Sequence, residues 1–351
     1  MKRRTLLAAA GLIGASALVI TGCGSSSSST DTASSGGSSA PAGAAQGSGA
    51  SFPAPAYTQW CQDSKTCSYA SKGSGAGIKD LTSGVVSWAG SDAPLKSDEK
   101  AAISGTVLYF PTLLGAVAIP TNIDGVSKPI NLTGPALAGI FDGDITSWDD
   151  KDIAASNPGV TLPAKPIVVC VRADSSGTSY NFSSYLGQIS QGFAQKVGAE
   201  GSKTPPWTAT VSAAPGNSGV ASCVKNGTNT IGYIDLADAK QAGLDDQAAA
   251  IGVEGDYVAP TVASIKAAGA GAKVNPDLTF SVLNSQAKGA YPIVATTYAL
   301  AVEGGKDNAA VKKAFTYFLG SAAQGQLDAL GYAPLPSSIL SQATAQLSKL
   351  S

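Results

Sequence analysis

The residues of this chain that could do chemistry are hydroxyls, glycines, one arginine and one aspartate, placed where strands end and helices begin. Pro166-Ile167-Val168-Val169-Cys170-Val171-Arg172 is an apolar strand ending in a cation, and Ala173-Asp174-Ser175-Ser176-Gly177-Thr178-Ser179 opens a helix behind it. Arg172 beside Ser176, Gly177 and Thr178 supplies a planar two-pronged donor, hydroxyls and oriented N–H groups together. That combination suits a tetrahedral oxyanion. A surface ion pair from Arg172 to Asp174 is the competing reading of the same residues.

Two further helix starts point the same way. In Gly47-Ser48-Gly49-Ala50-Ser51-Phe52-Pro53-Ala54-Pro55, Pro53 fits a first helical turn because its φ is preset and its missing N–H was unpaired anyway. The Ser51 hydroxyl and the Phe52 backbone N–H then lie at the helix mouth, although an ordinary serine cap would look alike. Lys72-Gly73-Ser74-Gly75-Ala76-Gly77 reads as a glycine-rich turn with Ser74 as N-cap, where backbone N–H groups can approach a ligand closely.

Trp88-Ala89-Gly90-Ser91-Asp92-Ala93-Pro94 places the carboxylate of Asp92 at the end of a buried strand. An acid in an anion site makes sense only if the ligand carries a proton, which Asp92 accepts while pairing with Arg172. A fully ionised dianion such as sulfate would meet it lone pair against lone pair.

Composition removes most alternatives. With no histidine there is no Ser-His-Asp or Cys-His catalytic set, no His-ligated zinc or haem and no imidazole switch. The 23 basic and 24 acidic residues leave no basic excess for nucleic acid, and 44% hydrophobic residues are too many for a disordered chain. Gly73 to Lys79 lacks the Gly-Lys-[Ser/Thr] ending of a phosphate-binding loop of NTPases, and no dinucleotide fingerprint follows a strand. No cofactor is expected.

The elements that must position these residues alternate. Val85 to Ala89, Val107 to Pro111, Leu114 to Ile119, Ile167 to Arg172, Thr230 to Ile234 and Ile293 to Val302 read as strands with helical stretches between them. Val311, Ala314, Phe315, Phe318 and Leu319 form one apolar helix face, stopped by Gly320. This pattern argues for α/β layers with mostly parallel sheets, whose ligands sit at strand carboxyl ends. About 300 ordered residues suggest two lobes.

Lys2-Arg3-Arg4 followed by the uncharged run Thr5 to Thr21 reads as an export signal over residues 1–22. It ends in Ile20-Thr21-Gly22-Cys23, which resembles a bacterial lipobox with Cys23 as the lipidated residue. Arg3-Arg4 leaves twin-arginine and general export equally open. Loss of Lys2, Arg3 and Arg4 from the 23 basic residues leaves 20 against 24 acidic ones, a charge of −4. A bound anion must therefore be held by local dipoles and placed cations. Residues 23–47 are dominated by Ser, Gly and Ala and are expected to tether the body at the outer face of the membrane, with a reach of roughly 25 to 30 Å.

Cys61, Cys67, Cys170 and Cys223 then remain in an oxidising compartment, with three possible pairings. Cys61 with Cys67, stapling a helix end to the next strand, and Cys170 with Cys223 are the favoured pairs. The spacing lacks any C-x-x-C unit, so no metal site is expected.

Taken in order, these segments resemble the PstS family, the phosphate-binding proteins of bacterial high-affinity phosphate ABC importers. The resemblance rests on Gly-Ser-Gly-Ala-Ser-Phe-Pro-Ala-Pro (47–55), Gly-Ser-x-x-Gly-Ile-Lys (73–79), Gly-Ser-Asp-Ala-Pro-Leu (90–95), Ile140-Phe141 through Trp148-Asp149-Asp150, Arg-Ala-Asp-x-Ser-Gly-Thr-Ser (172–179), Gly-Asn-x-Gly-Val-Ala (216–221) and Ile-Gly-Tyr-Ile (231–234). It implies a two-lobed, type II periplasmic-binding-protein-like α/β fold, each lobe a mixed sheet flanked by helices. Residues 48–118 with 292–351 would form one lobe and 119–291 the other, joined by two hinge strands near Pro120 and Pro292.

The resemblance further implies phosphate held in the cleft by Ser51, Phe52, Ser74, Asp92, Arg172, Ser176, Gly177 and Thr178. The expected role is capture without chemistry by a monomer and delivery to a membrane permease. Two alternatives stay open: a receptor for another oxyanion, and an extracytoplasmic phosphatase using Ser74 or Ser176, which would lack a base to activate the hydroxyl.

Overall fold

A computed structural model describes residues 43–305 and 307–350. Chain contacts divide the sequence into Met1–Gly37, outside the described residues, and Ser38–Ser351, the unit considered below. The export signal, Cys23 and most of the tether likewise lie outside the described residues.

Two long apolar strands, Val107–Ala118 and Val294–Val302, run antiparallel through the middle of the largest sheet. Its order is Ile234–Asp235, Val107–Ala118, Val294–Val302, Trp88–Ser91, Ala45–Gly49, Cys67–Ser71. Parallel neighbours occur only among the last three, and every other neighbouring pair is antiparallel, so this sheet is mixed rather than mostly parallel. Strand direction depends on how distant segments meet, which alternation of strands and helices does not encode. In the four-stranded sheet, Thr230–Gly232, Val168–Arg172 and Val211–Ala214 are parallel and Thr121–Asn122 is antiparallel at the edge. Asp256–Val258, Ala250–Val253 and Asn131–Thr133 make a third, small sheet.

Several strand bounds differ from expectation for local reasons. Val107 to Pro111 and Leu114 to Ile119 fuse into one strand through Thr112, where the pairing register shifts between Thr297 and Tyr298. The Thr230 to Ile234 run breaks at Tyr233, so that Thr230–Gly232 and Ile234–Asp235 belong to different sheets. Val85 is 62% exposed and precedes the strand Trp88–Ser91 rather than entering it.

Helices cover the sheets through aromatic contacts. Tyr57 and Trp60 of Ala54–Ser64 meet Phe318 of Asn308–Phe318 at ring-centroid distances of 5.2 and 5.1 Å, and Trp88 packs edge-on against Phe315 at 5.6 Å. Val311, Ala314, Phe315, Phe318 and Leu319 are all buried, as their spacing predicts. That helix is not the last: Ser321–Leu330 and Ser337–Gln346 follow it. Around the four-stranded sheet, Phe141, Phe182, Trp207 and Tyr233 form a second aromatic cluster, with Phe141 and Phe182 at 4.6 Å.

Both favoured disulfides are formed. Cys61–Cys67 joins the helix Ala54–Ser64 to the strand Cys67–Ser71, and Cys170–Cys223 joins the strand Val168–Arg172 to the helix Gly216–Asn226. The second closes a sequence separation of 53 residues against 6 for the first. Chain entropy therefore makes it the stronger constraint on the unfolded state, about 4 against about 2 kcal/mol. In urea denaturation, replacing Cys170 and Cys223 together by Ser is expected to cost more stability than replacing Cys61 and Cys67. Equal losses would contradict this ordering.

Candidate functional site

Three helix starts converge. Ser51 and Phe52 precede Ala54–Ser64, Ser74 opens Ser74–Thr82, and Ser176 caps Gly177–Ile189 by accepting from Ser179 N at 3.1 Å. Two local details depart from expectation. Pro53 is the residue before the helix rather than within its first turn, a place taken by Pro55. Gly73 is the N-cap of the second helix, at φ 89, and Ser74 is its first helical residue. A Cβ on Gly73 would lie 2.2 Å from Asp174 Oδ2, so both conformation and space require glycine there.

Because Ser74 does not cap its own helix, its hydroxyl is free to reach across. Ser74 Oγ accepts from Gly177 N at 3.0 Å and from Asp92 N at 3.5 Å. Asn181 ties the same residues together, donating to the carbonyls of Asp92 at 2.6 Å and Gly177 at 2.9 Å. The approach is so close that a Cβ on Gly177 would sit 2.6 Å from Ser74 Oγ and 2.7 Å from Asp92 Cβ. All eight residues singled out in the sequence are buried or line this junction: Ser51, Phe52, Ser74, Asp92, Arg172, Ser176 and Thr178 are each 7% exposed or less.

Arg172 is held differently from the sequence expectation. Its Nε and Nη2 donate to the two carboxylate oxygens of Asp174 at 2.8 and 2.5 Å. Nη1 donates to Asn217 Oδ1 at 3.0 Å and Thr178 Oγ1 at 3.3 Å. The Arg172–Asp174 pair is thus real, and it lies inside the protein, with the arginine side chain 1% exposed. Asp92 feels Arg172 only through space, without a hydrogen bond between them. Asp174 sits two residues from Arg172, so it takes the fork face that Asp92 was expected to share. Burial opposes ionisation of Asp174, but the guanidinium and the Gly216 N–H outweigh it and hold the carboxyl below its ordinary range. Of the five guanidinium N–H groups, one on Nη2 has no partner among the described residues.

Asp92 is the odd group in this setting. Its Oδ1 accepts from Thr297 Oγ1 at 2.8 Å, while Oδ2 is buried with no hydrogen-bond partner among the described residues. Thr297 lies at the register shift between the two long strands, a local irregularity that aims its hydroxyl at the carboxylate. Burial pushes the Asp92 carboxyl up to about 7, against the lowering pull of the Thr297 hydroxyl and of Arg172 and Lys203.

The hydroxyls around Asp92 are set as donors. Ser51 Oγ accepts from Asn217 N at 3.2 Å and Ser74 Oγ from Gly177 N, so each has its own hydrogen left to give. The backbone N–H groups of Phe52, Ser74 and Thr178 have no partner among the described residues. The junction therefore gathers several unspent donors and one unspent acceptor.

Thr297, Asn181, Asn217 and Lys203 complete the site and were not singled out from the sequence. Lys203 is buried, pairs with both Glu99 oxygens at 2.7 and 2.6 Å, and offers its carbonyl to Ser176 N at 2.9 Å. Only Asn217 stood in a quoted motif, Gly216 to Ala221; the others carry no local signal.

Residues 27–323 match a family model described as a PBP superfamily domain. The chain is 36% identical over 347 residues to the phosphate-binding protein PstS of Xylella fastidiosa, with 93% of each chain covered. It is 33% identical to the phosphate-binding protein PstS of Haemophilus influenzae, over 86% of this chain and 91% of that one. Among solved structures, a high affinity periplasmic phosphate-binding protein (PfluDING) bound with phosphate aligns at a TM-score of 0.71 and 25% identity, over 86% of this chain and 93% of that one. The chain belongs to the PstS family of phosphate-binding proteins, within the PBP superfamily.

Proposed function

We propose that this protein is an extracytoplasmic, lipid-anchored receptor that captures inorganic phosphate at the Ser51–Ser74–Asp92–Arg172–Thr178 junction and delivers it to the permease of an ABC importer. The observation that carries the ligand assignment is Asp92 Oδ2, a buried acceptor without a partner amid unspent donors. Monohydrogen and dihydrogen phosphate present oxygens to the donors and an O–H to that acceptor. Sulfate near neutral pH presents only oxygens, and leaves Asp92 unpaired against it. Ser51, Phe52, Ser74, Arg172, Ser176 and Thr178 supply the donors, and Gly177, whose N–H is given to Ser74 Oγ, lets the helix start approach closely. The Arg172 charge is already engaged by Asp174, so it offers direction more than net charge.

Delivery requires the site to open. Residues 48–118 with 292–351 and residues 119–291 would be the two moving lobes. Sheet membership supports the hinge position near Pro120, where the chain leaves the six-stranded sheet at Ala118 and its next strand, Thr121–Asn122, lies in the four-stranded one, whereas Ile234–Asp235, within 119–291, pairs back onto Val107–Ala118. No helix among the described residues is long and apolar enough to cross a membrane. Attachment would rest on Cys23, the lipidated position of the lipobox-like Ile20-Thr21-Gly22-Cys23 run, with residues 23–47 as tether. The protein would work as a monomer in contact with its permease.

Calorimetric titration at pH 8.5 should show phosphate binding and little sulfate binding. Asp92→Asn should admit sulfate, because an amide can donate where the carboxylate cannot. In the native protein, sulfate affinity should rise as the pH falls through about 7, since Asp92 then gains a proton and becomes a donor. Sulfate bound as tightly as phosphate at pH 8.5 would sink the assignment.

Arg172→Ala removes four hydrogen bonds and strands Asp174, and should weaken phosphate binding by about a hundredfold or more, measured in the same titration. Unchanged affinity would place the ligand elsewhere. Finally, Cys23→Ser should move the protein from the membrane fraction to the soluble fraction of expressing cells. Retention of the variant on membranes would remove the lipid from the account.

A further inference from the structure

Gly216-Asn217 belongs to a quoted motif that the ligand assignment leaves without a role, and Asn217 is completely buried. Its side chain is used at both ends. Oδ1 accepts from Arg172 Nη1 at 3.0 Å and Nδ2 donates to Asp235 Oδ2 at 2.7 Å. Chemistry fixes this orientation, since a guanidinium only donates and a flipped amide would set N–H against N–H. The backbone N–H of the same residue donates to Ser51 Oγ at 3.2 Å, and its neighbour Gly216 N donates to Asp174 Oδ1 at 3.0 Å. The start of the helix Gly216–Asn226 therefore spends its two leading amides on partners of the anion site rather than on the anion.

Asp235 extends the arrangement. Besides Asn217, it caps the helix Leu236–Ala242 through Oδ1, which accepts from Asp238 N at 3.0 Å. The same oxygen lies 3.1 Å from the Tyr332 hydroxyl, and that hydroxyl donates to the Phe52 carbonyl at 2.5 Å. A ring results: Ser51 to Phe52 through the chain, then Tyr332, Asp235, Asn217 and back to Ser51 by hydrogen bonds. The Tyr332 hydrogen is given to Phe52, so its contact with Asp235 is satisfied when the carboxyl carries a proton. Burial and the nearby charge of Asp238 favour that state.

We propose that Asn217 is a positioning residue for phosphate recognition, held by Asp235, which fixes the Arg172 guanidinium and the Ser51 hydroxyl together without touching the ligand. It makes Arg172 rigid by occupying one edge of the fork while Asp174 occupies the other. It makes Ser51 a donor by supplying that oxygen with a hydrogen. The inference rests on the phosphate reading and extends it to a residue outside the ligand's reach.

The test is a double-mutant cycle in phosphate affinity between Asn217→Ala and Arg172→Lys, read by calorimetry with inorganic phosphate. Lys cannot span Asp174 and Asn217, so it removes the link while keeping a cation. Asn217→Ala alone should weaken binding roughly tenfold or more, and should weaken it by less than about threefold when Arg172 is already Lys. Asn217→Ser, which also leaves Arg172 Nη1 without its amide partner, should repeat the pattern. Losses that multiply independently would overturn the proposal, because a merely structural role lowers affinity by the same factor in either background. Failure of both Asn217 variants to fold would likewise assign the residue to the core and overturn it. Absence of phosphate binding by the unmodified protein would refute the phosphate reading itself, an outcome distinct from an additive cycle.

Discussion

The candidate site is arranged around the unpaired oxygen of one buried carboxylate. A buried carboxylate oxygen without a partner costs about 1 to 3 kcal/mol or more, and proteins seldom tolerate one. Five buried side-chain polar atoms lack a partner among the described residues, Trp60 Nε1, Asp92 Oδ2, Tyr257 Oη, Thr296 Oγ1 and Gln326 Oε1, and of these only Asp92 Oδ2 belongs to a carboxylate. Everything nearby keeps the group in place: Thr297 saturates the other oxygen, Asn181 holds the backbone, and Gly177 leaves no room for a Cβ. An acceptor so fixed can be answered only by a guest that brings its own hydrogen.

The donors opposite it are governed by the same economy of hydrogens. Hydroxyls can give or accept, and would discriminate nothing if left to choose. Here each is biased to give, because Ser51 and Ser74 already accept from backbone N–H groups of other helix starts and keep their own hydrogens unspent. The guanidinium is similarly committed, with four of its five N–H groups spent on Asp174, Asn217 and Thr178. Under the proposed function, selectivity would arise from rigidity in the surrounding partners more than from charge. This suits a chain expected to carry net negative charge in its mature form.

Much of the site could be read from the sequence because its signals are local. An apolar run ending in Arg172, a Ser-Gly-Thr helix start and two Ser-bearing glycine or proline turns each reveal themselves within ten residues. The cysteine pairs were legible for the same reason in Cys61–Cys67, where a helix end meets the following strand. What was not legible is set by long-range register. Thr297 reaches Asp92 across 205 residues and Lys203 reaches Glu99 across 104, through strand and loop placements that no spacing rule encodes. The expected Arg172–Asp92 pair failed because a closer carboxylate, two residues along the chain, competes for the same fork. The mixed direction of the large sheet was implied by the family resemblance and not by the strand pattern: Val107–Ala118 and Val294–Val302 are apolar along nearly their whole length, and such runs do not announce which way a partner runs.

An unpaired acceptor also couples recognition to stability. The Asp92 carboxyl titrates near 7 in the folded chain and near the ordinary carboxylate value when unfolded, so the folded state holds the extra proton between those values. Stability of the ligand-free protein therefore declines as pH rises through that window, and the cost of the ionised group persists above it. Rigid surroundings offset that cost: aromatic packing of Tyr57, Trp88 and Phe318 beneath one wall, and the Cys170–Cys223 link joining the Arg172 strand to the Asn217 helix beneath the other. A protonated anion relieves the same cost by pairing with Oδ2. The free energy stored at Asp92 is then released on binding the right guest and withheld from the wrong one. A carboxylate left exposed to water would store nothing, and would lose its power to choose.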